Sequence, residues 1–231
     1  MRTFNQPYET LTPAMALQIL KHGNFRFINN IGMDRDHLLT VDQTKDGQSP
    51  FAAILSCMDS RTSAELIFDQ GFGDIFSIRV AGNVISQDVL GSLEYATGVA
   101  GSKLIVVLGH TNCGAIAGAC NEVKMGNLTG LLEKIEPSIH KESSTQHNRT
   151  GTNPDFVNSV ARLHARQSAK EIINSSSIIR ELVRSGQVGI IPAMYDIATG
   201  KIHFYSEDAV LGPHGKNADS EIEKVPETAV V

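Results

Sequence analysis

The chain has 231 residues, 41% of them hydrophobic, and a formal net charge of −5 at pH 7, enough chain for one large domain with a buried core. With no long basic run and no tryptophan, it offers neither the charge nor the stacking platform that nucleic acid binding asks for. Residues 1–8 lack a charged-then-apolar leader, no apolar stretch is long enough for a bilayer, and the three cysteines are an odd number, so a cytoplasmic protein with reduced thiols and no membrane partner is expected.

Residues 11–28 read as a helix, with Thr12 as N-cap and Pro13 at the first helical position. Leu17, Leu20, Phe25 and Phe27 do not hold one stripe through Gly23, so the helix is expected to end or bend there. Residues 29–50 are polar and turn-rich without clear periodicity, an irregular arm that needs a surface to lie on. From residue 51 the pattern alternates: a strand over 51–57, a short helix over 63–69, a strand over 74–80, a helix over 88–99, a strand over 103–108 and a helix over 115–124. Residues 141–154 read as a loop, 156–174 and 176–185 as helices, and 188–195 as a strand. The turn Ala198-Thr199-Gly200 then leads into a last strand, 201–205, as an edge hairpin. The alternation predicts an α/β fold: a central, mostly parallel sheet flanked by helices, with an N-terminal helical arm and a C-terminal edge hairpin. The polar stretch from Glu207 is the part best suited to disorder.

Two of the predicted strands end in chemistry. Cys57-Met58-Asp59-Ser60-Arg61 follows the first, and His110-Thr111-Asn112-Cys113-Gly114 follows the third. In an open parallel sheet the carboxyl ends of strands are where ligands bind, so Cys57, His110 and Cys113 are expected to converge. Two thiolates and an imidazole suit Zn²⁺, and three protein ligands leave one position for water or substrate. A lone cysteine at the end of an apolar run is more often core, and Cys120, in a helix of small residues, keeps that reading. Asp59 has three readings: a fourth ligand that closes the site, a carboxylate held off the metal by the Arg61 fork to orient water, or a cap for the next helix.

The paired C-x-D-S-R and H-x-x-C-G signatures resemble those of the β-class carbonic anhydrases, and the resemblance extends over residues 11–205. It includes Leu11-Thr12-Pro13, the stretch from Asp74 to Asn83, Gly91-Ser92-Leu93-Glu94-Tyr95-Ala96 and Ala193-Met194-Tyr195-Asp196. The resemblance implies reversible hydration of CO₂ to bicarbonate, with one Zn²⁺ per chain on Cys57, His110 and Cys113 and a catalytic Asp59–Arg61 dyad. It also implies that Gln48 binds substrate across a dimer interface, that Phe76, Ala81 and Tyr95 line the CO₂ pocket, and that the Gly114 N–H approaches the substrate oxygen. The expected assembly is a homodimer or a dimer-based oligomer such as a tetramer. One branch of the family carries a bicarbonate-sensing tryptophan three residues before the first cysteine ligand; Ile54 stands there, which points to the other branch. Tyr95 is a candidate proton carrier, against the simpler reading of a buried core tyrosine.

The chain thus divides into residues 1–50 as N-terminal helix and dimerisation arm, 51–206 as zinc-binding catalytic domain and 207–231 as polar tail, within one domain overall. Two rivals stand beside CO₂ hydration: hydrolysis of carbonyl sulfide or carbon disulfide on the same scaffold, and a structural or redox zinc protein without turnover.

Overall fold

A computed structural model describes residues 10–212 of the chain. Its five strands, β1 (Ala52–Ser56), β2 (Ile75–Arg79), β3 (Leu104–His110), β4 (Gly189–Tyr195) and β5 (Ile202–Phe204), form one sheet in the order β2-β1-β3-β4-β5. The first four run parallel, and β5 returns antiparallel beside β4 as the expected edge hairpin. Every residue of β1, β3 and β4 is buried, which is why these strands read as unbroken apolar runs rather than alternating ones.

The alternation shows in which side each residue faces. Ala52, Ile54, Leu104, Val106, Leu108, Ile191 and Ala193 pack with Leu17 and Leu20 of α1 (Pro13–Ile28) and with Ile67 of α3 (Ala64–Ile67). Ala53, Leu55, Ile105, Val107 and Ile190 pack on the other face against α4 (Gln87–Glu94), α8 (Pro154–Ser175) and α9 (Ser177–Arg184). At 2% and 0% exposure, Leu17 and Leu20 each contribute about 1.5–3 kcal/mol of apolar burial, so α1 belongs to the central core.

Helix α1 does not end at Gly23. Thr12 caps it through Oγ1 to the Met15 N–H at 3.2 Å, and it runs unbroken to Ile28. A Cβ at Gly23 would stand 1.8 Å from the Phe68 carbonyl oxygen, so glycine is there for close packing rather than to stop the helix. The stretch 29–50 is likewise more ordered than expected. It contains α2 (His37–Thr44), capped by Asp36 Oδ1 accepting from Leu39 N–H at 2.9 Å. No residue of α2 is buried, so its apolar side chains follow no inward stripe. Ahead of α2, Arg26 and Arg35 both reach the Asp69 carboxylate at 2.5 Å and fasten the arm to the body.

The remaining differences are mostly of length. The helix expected over 115–124 is α5 (Gly114–Cys120), followed by two short helices not foreseen, α6 (Gly126–Leu132) and α7 (Glu136–Lys141). The stretch 88–99 divides into α4 and a π-helical turn, Tyr95–Val99. Residues 207–212 fold back: Asp208 pairs with Arg166 and Lys170, and Val210 bridges Ile190. The rest of the expected tail lies outside the described residues.

Candidate metal centre

The chain leaves β1 toward β2 on one side of the sheet and leaves β3 toward β4 on the other. The crevice between the carboxyl ends of β1 and β3 is therefore the topological switch point. Cys57 follows β1 there, and His110 closes β3 with Cys113 three residues on. The two sulfurs and the imidazole nitrogen all lie within 4.8 Å of one another, and all three residues are buried. Cys120, by contrast, is not in the group and packs among Ile116, Ala119 and Leu132.

The group fits a zinc ion on three observations. Cys57 Sγ and Cys113 Sγ are 3.9 Å apart, close to the ~3.8 Å that two sulfurs at about 2.3 Å from one tetrahedral zinc must span. His110 Nδ1 lies 2.9 Å from the Thr111 carbonyl, which fixes the proton on that nitrogen and leaves the Nε2 lone pair free. That Nε2 is buried without a hydrogen-bond partner, an arrangement a metal ion satisfies. The thiols point the same way. The hydrogen bond with Cys113 brings the Cys57 pKa down to about 4 against the upward push of burial. The same bond, with burial, holds the Cys113 thiol well above its ordinary range, because a second negative charge 3.9 Å from the first needs a cation.

Backbone contacts that no local sequence pattern announces hold these ligands. Arg79 at the end of β2 donates Nε to the Cys57 carbonyl at 3.2 Å and Nη2 to the Asp59 carbonyl at 2.5 Å. Thr62 Oγ1 reaches the same two carbonyls at 3.2 and 2.9 Å. The Gly82 N–H, in a left-handed turn at φ 66°, donates to Cys57 Sγ at 3.4 Å. Across the crevice, Asn158 Oδ1 of α8 accepts from the N–H of Asn112, itself at φ 53°. Thr111 Oγ1 donates to Asp196 at 3.3 Å.

Asp59 and Arg61 form a fork-to-fork pair, Nε to Oδ1 at 2.9 Å and Nη2 to Oδ2 at 2.6 Å, with the Arg61 N–H also on Oδ1. These hydrogen bonds hold the Asp59 carboxyl well below the usual carboxylate range. Asp59 is not the helix cap, since Ser63 occupies that position before α3. Its Oδ2 lies 3.9 Å from His110 Nε2, beside the ligand group and outside it.

The residues expected at the substrate divide in two. Ala81 precedes Gly82 and Gly114 follows Cys113, so both border the metal group. Gln48 sits at the opposite end of the sheet, before β1, and borders a pocket with Thr44, Lys45, Asp46, Gly47 and Gly73. Five strand residues at about 3.3 Å each separate it from Cys57. Phe76 lies near the amino end of edge strand β2 and meets Tyr95 edge-to-face at 6.2 Å, lining a cavity of about 520 Å³ with Gln87 and Ser92. Tyr95 is 54% exposed and so is no core tyrosine.

The sequence model of the carbonic anhydrase family matches residues 52–202. The chain belongs to the β-class carbonic anhydrases. It is 36% identical over 218 residues to carbonic anhydrase 2 of Mycobacterium tuberculosis, covering 91% of this chain and 98% of that one. It is 33% identical over 211 residues to a carbonic anhydrase of Mycolicibacterium smegmatis, covering 87% and 97%. The fold is shared with a tetrameric β-carbonic anhydrase of Sordaria macrospora at TM-score 0.62 and 23% identity, over 72% of this chain and 89% of that one. Membership makes this chain an enzyme with zinc as its metal, and the buried Cys57, His110 and Cys113 group supplies the donors such an ion takes.

Proposed function

We propose that this chain hydrates CO₂ reversibly to bicarbonate and a proton, with zinc held by Cys57, His110 and Cys113. The observation that carries the reading is the buried two-sulfur, one-imidazole group at the switch point, with the Asp59–Arg61 pair beside it. Bound there, zinc supplies a Lewis acid that lowers the pKa of water from about 15.7 to about 7. Asp59 accepts a hydrogen bond from the attacking oxygen and aims it at carbon, while Arg61 keeps the carboxylate ionised and turned off the metal. The Gly114 N–H and the apolar surface at Ala81 border the CO₂ binding space. Tyr95, exposed on the cavity it shares with Phe76, is the candidate to pass the proton to buffer. Ile54 in the position of the sensing tryptophan supports the branch of the family whose zinc stays open at neutral pH.

The test is zinc stoichiometry and stopped-flow CO₂ hydration on one sample, with carbonyl sulfide and carbon disulfide run alongside. One zinc per chain and fast CO₂ turnover are expected. Full zinc without turnover would make the protein a structural or redox zinc protein, and faster turnover of either sulfur substrate would make it a hydrolase.

Gln48 lies too far from its own chain's Cys57 to reach the same substrate, which supports its service to a partner subunit in a homodimer or larger dimer-based assembly. Phe76 and Tyr95, in edge-to-face contact beside β2 and the end of α4, are assigned to the CO₂ pocket by the family resemblance. Within the N-terminal stretch 1–50 the segment around α2 then acts as the assembly arm, while α1 packs on the core of the catalytic unit, 51–206, with 207–231 as its polar tail. Helix α2 carries the surface for such pairing: Leu38, Leu39 and Val41 are 82%, 53% and 50% exposed. The substitutions Leu38→Glu and Leu39→Glu together are expected to yield monomers in analytical ultracentrifugation and to lower CO₂ hydration on the order of a hundredfold. A monomer with full activity would remove Gln48 from the mechanism. Among the described residues no helix is long and apolar enough to cross a membrane.

A further inference from the structure

Helix α2 buries no residue, so apolar packing alone does not fix its direction. Three contacts with one loop of the body, residues 69–73 between α3 and β2, do so instead. The Asp69 carboxylate accepts from Arg35 Nη1 on Oδ1 at 2.5 Å, from Arg26 Nε on Oδ2 at 2.5 Å and from the Met33 N–H at 3.3 Å. Arg35 Nη2 also donates to the Asp69 carbonyl at 2.5 Å. At the start of α2, His37 meets Phe72 edge-to-face at 5.8 Å. At its end, a Cβ at Gly73 would stand 3.0 Å from Thr44 Cγ2, so the glycine lets the helix rest on the loop.

Asp69 stands where local structure alone would choose another residue. It is the first residue past the cap of α3, in the left-handed region at φ 47°, a position that glycine fills best and asparagine next. It is also only 8% exposed, and a carboxylate seldom lies so deep unless it is paired. The pairing reaches two separate parts of the chain. Arg26 is in the last turn of α1, which packs on the core, whereas Met33 and Arg35 belong to the segment that leads into α2. The carboxylate therefore ties that segment to the body at one point, immediately before Asp36 caps α2.

We propose that Asp69 is a positioning residue for subunit pairing: by clasping Arg35 it sets the direction of α2, so that Leu38, Leu39 and Val41 meet a second copy of this chain and Gln48 stands at a fixed place for that copy's metal centre. The proposal rests on the reading that α2 pairs the subunits and that Gln48 serves its neighbour. An arm already held in one direction loses less conformational freedom on association. The clasp thus acts on the affinity between subunits and leaves the chemistry of a formed pair alone.

The test is a dilution series on the full-length zinc protein, read by sedimentation velocity for association and by stopped-flow CO₂ hydration for specific activity. Asp69→Asn keeps a residue suited to the left-handed backbone and removes the charge, and Arg35→Ala removes the arm's side of the clasp. Each is expected to raise the subunit dissociation constant about tenfold, the scale of one hydrogen bond to a charged group. Specific activity in both is expected to fall at concentrations where the wild type is still paired. It should return to the wild-type value when the protein is concentrated, which a damaged subunit would not do. Arg26→Ala leaves Arg35 on the carboxylate and is expected to change the constant much less. Should Asp69→Asn not fold, Arg35→Ala carries the test. Unchanged association in the folded variants would overturn the proposal. So would equal weakening by Arg26→Ala and Arg35→Ala, or lost activity that concentration does not restore. A wild-type protein that is monomeric and fully active would instead overturn the pairing on which the proposal stands.

Discussion

Cys113→Ser is expected to lose zinc and CO₂ hydration together, whereas Cys120→Ser keeps both. Removing a ligand should cost more affinity than the about 10–100-fold typical of changes to residues that only support ligands. The remaining Cys57 and His110 cannot hold the ion in a buried three-donor group. Cys120 is a fair control because it is almost as buried, at 9% exposure, and packs on the same apolar cluster. Burial pushes its thiol up to about 11, so it stays protonated and unsuited to coordination at neutral pH. The measurement is metal content after dialysis, with turnover on the same samples. Loss of zinc in Cys120→Ser, or full zinc in Cys113→Ser, would show that the wrong cysteine has been assigned.

Asp59→Asn is expected to retain zinc and lose about 10²–10⁴ in turnover, the usual worth of a positioned acid–base group. Arg61 occupies both carboxylate oxygens, and an amide in that place offers one acceptor and turns an N–H₂ either to the guanidinium or to the reacting oxygen. Arg61→Ala should also silence the enzyme, by a different route. The carboxylate keeps the backbone N–H of residue 61 but loses the fork, and it swings toward the metal from its place 3.9 Å from His110 Nε2. Turnover then falls while resistance to chelators rises, an opposite signature in the second readout. The double substitution should be little worse than either single one, because the pair acts as a unit. Near-wild-type hydration by Asp59→Asn would leave the pair a surface ornament of the turn.

The sheet and the candidate metal group were legible because both signals are local. Buried parallel strands are written as continuous apolar runs, and Cys57, His110 and Cys113 stand at the ends of two of them. What was illegible depends on contacts from elsewhere. Helix α2 hid because Leu38, Leu39 and Val41 point outward, so the inward periodicity that marks a helix is missing. Gly23 read as a helix stop because propensity knows nothing of the Phe68 carbonyl lying against it. Arg79 and Asn158 serve the site through main-chain atoms of distant turns, and a side chain that grips backbone leaves no motif. Asp59 was the reverse case: its type and spacing were plain, but only the bidentate geometry with Arg61 separates a held carboxylate from a cap.

The register of the sheet also governs when the metal can enter. Ala52 pairs with Leu104, so the first cysteine and the histidine come together only after a strand has paired with a partner more than fifty residues away. Such long-range parallel pairing is among the slow events of folding. The ion is therefore expected to bind after the two strands have paired rather than to nucleate the fold, unlike in small zinc modules. Zinc bound to the finished sheet adds its binding free energy to the stability of β1 against β3, and so to the whole molecule. The metal that drives the chemistry is in this sense also a receipt that folding is complete.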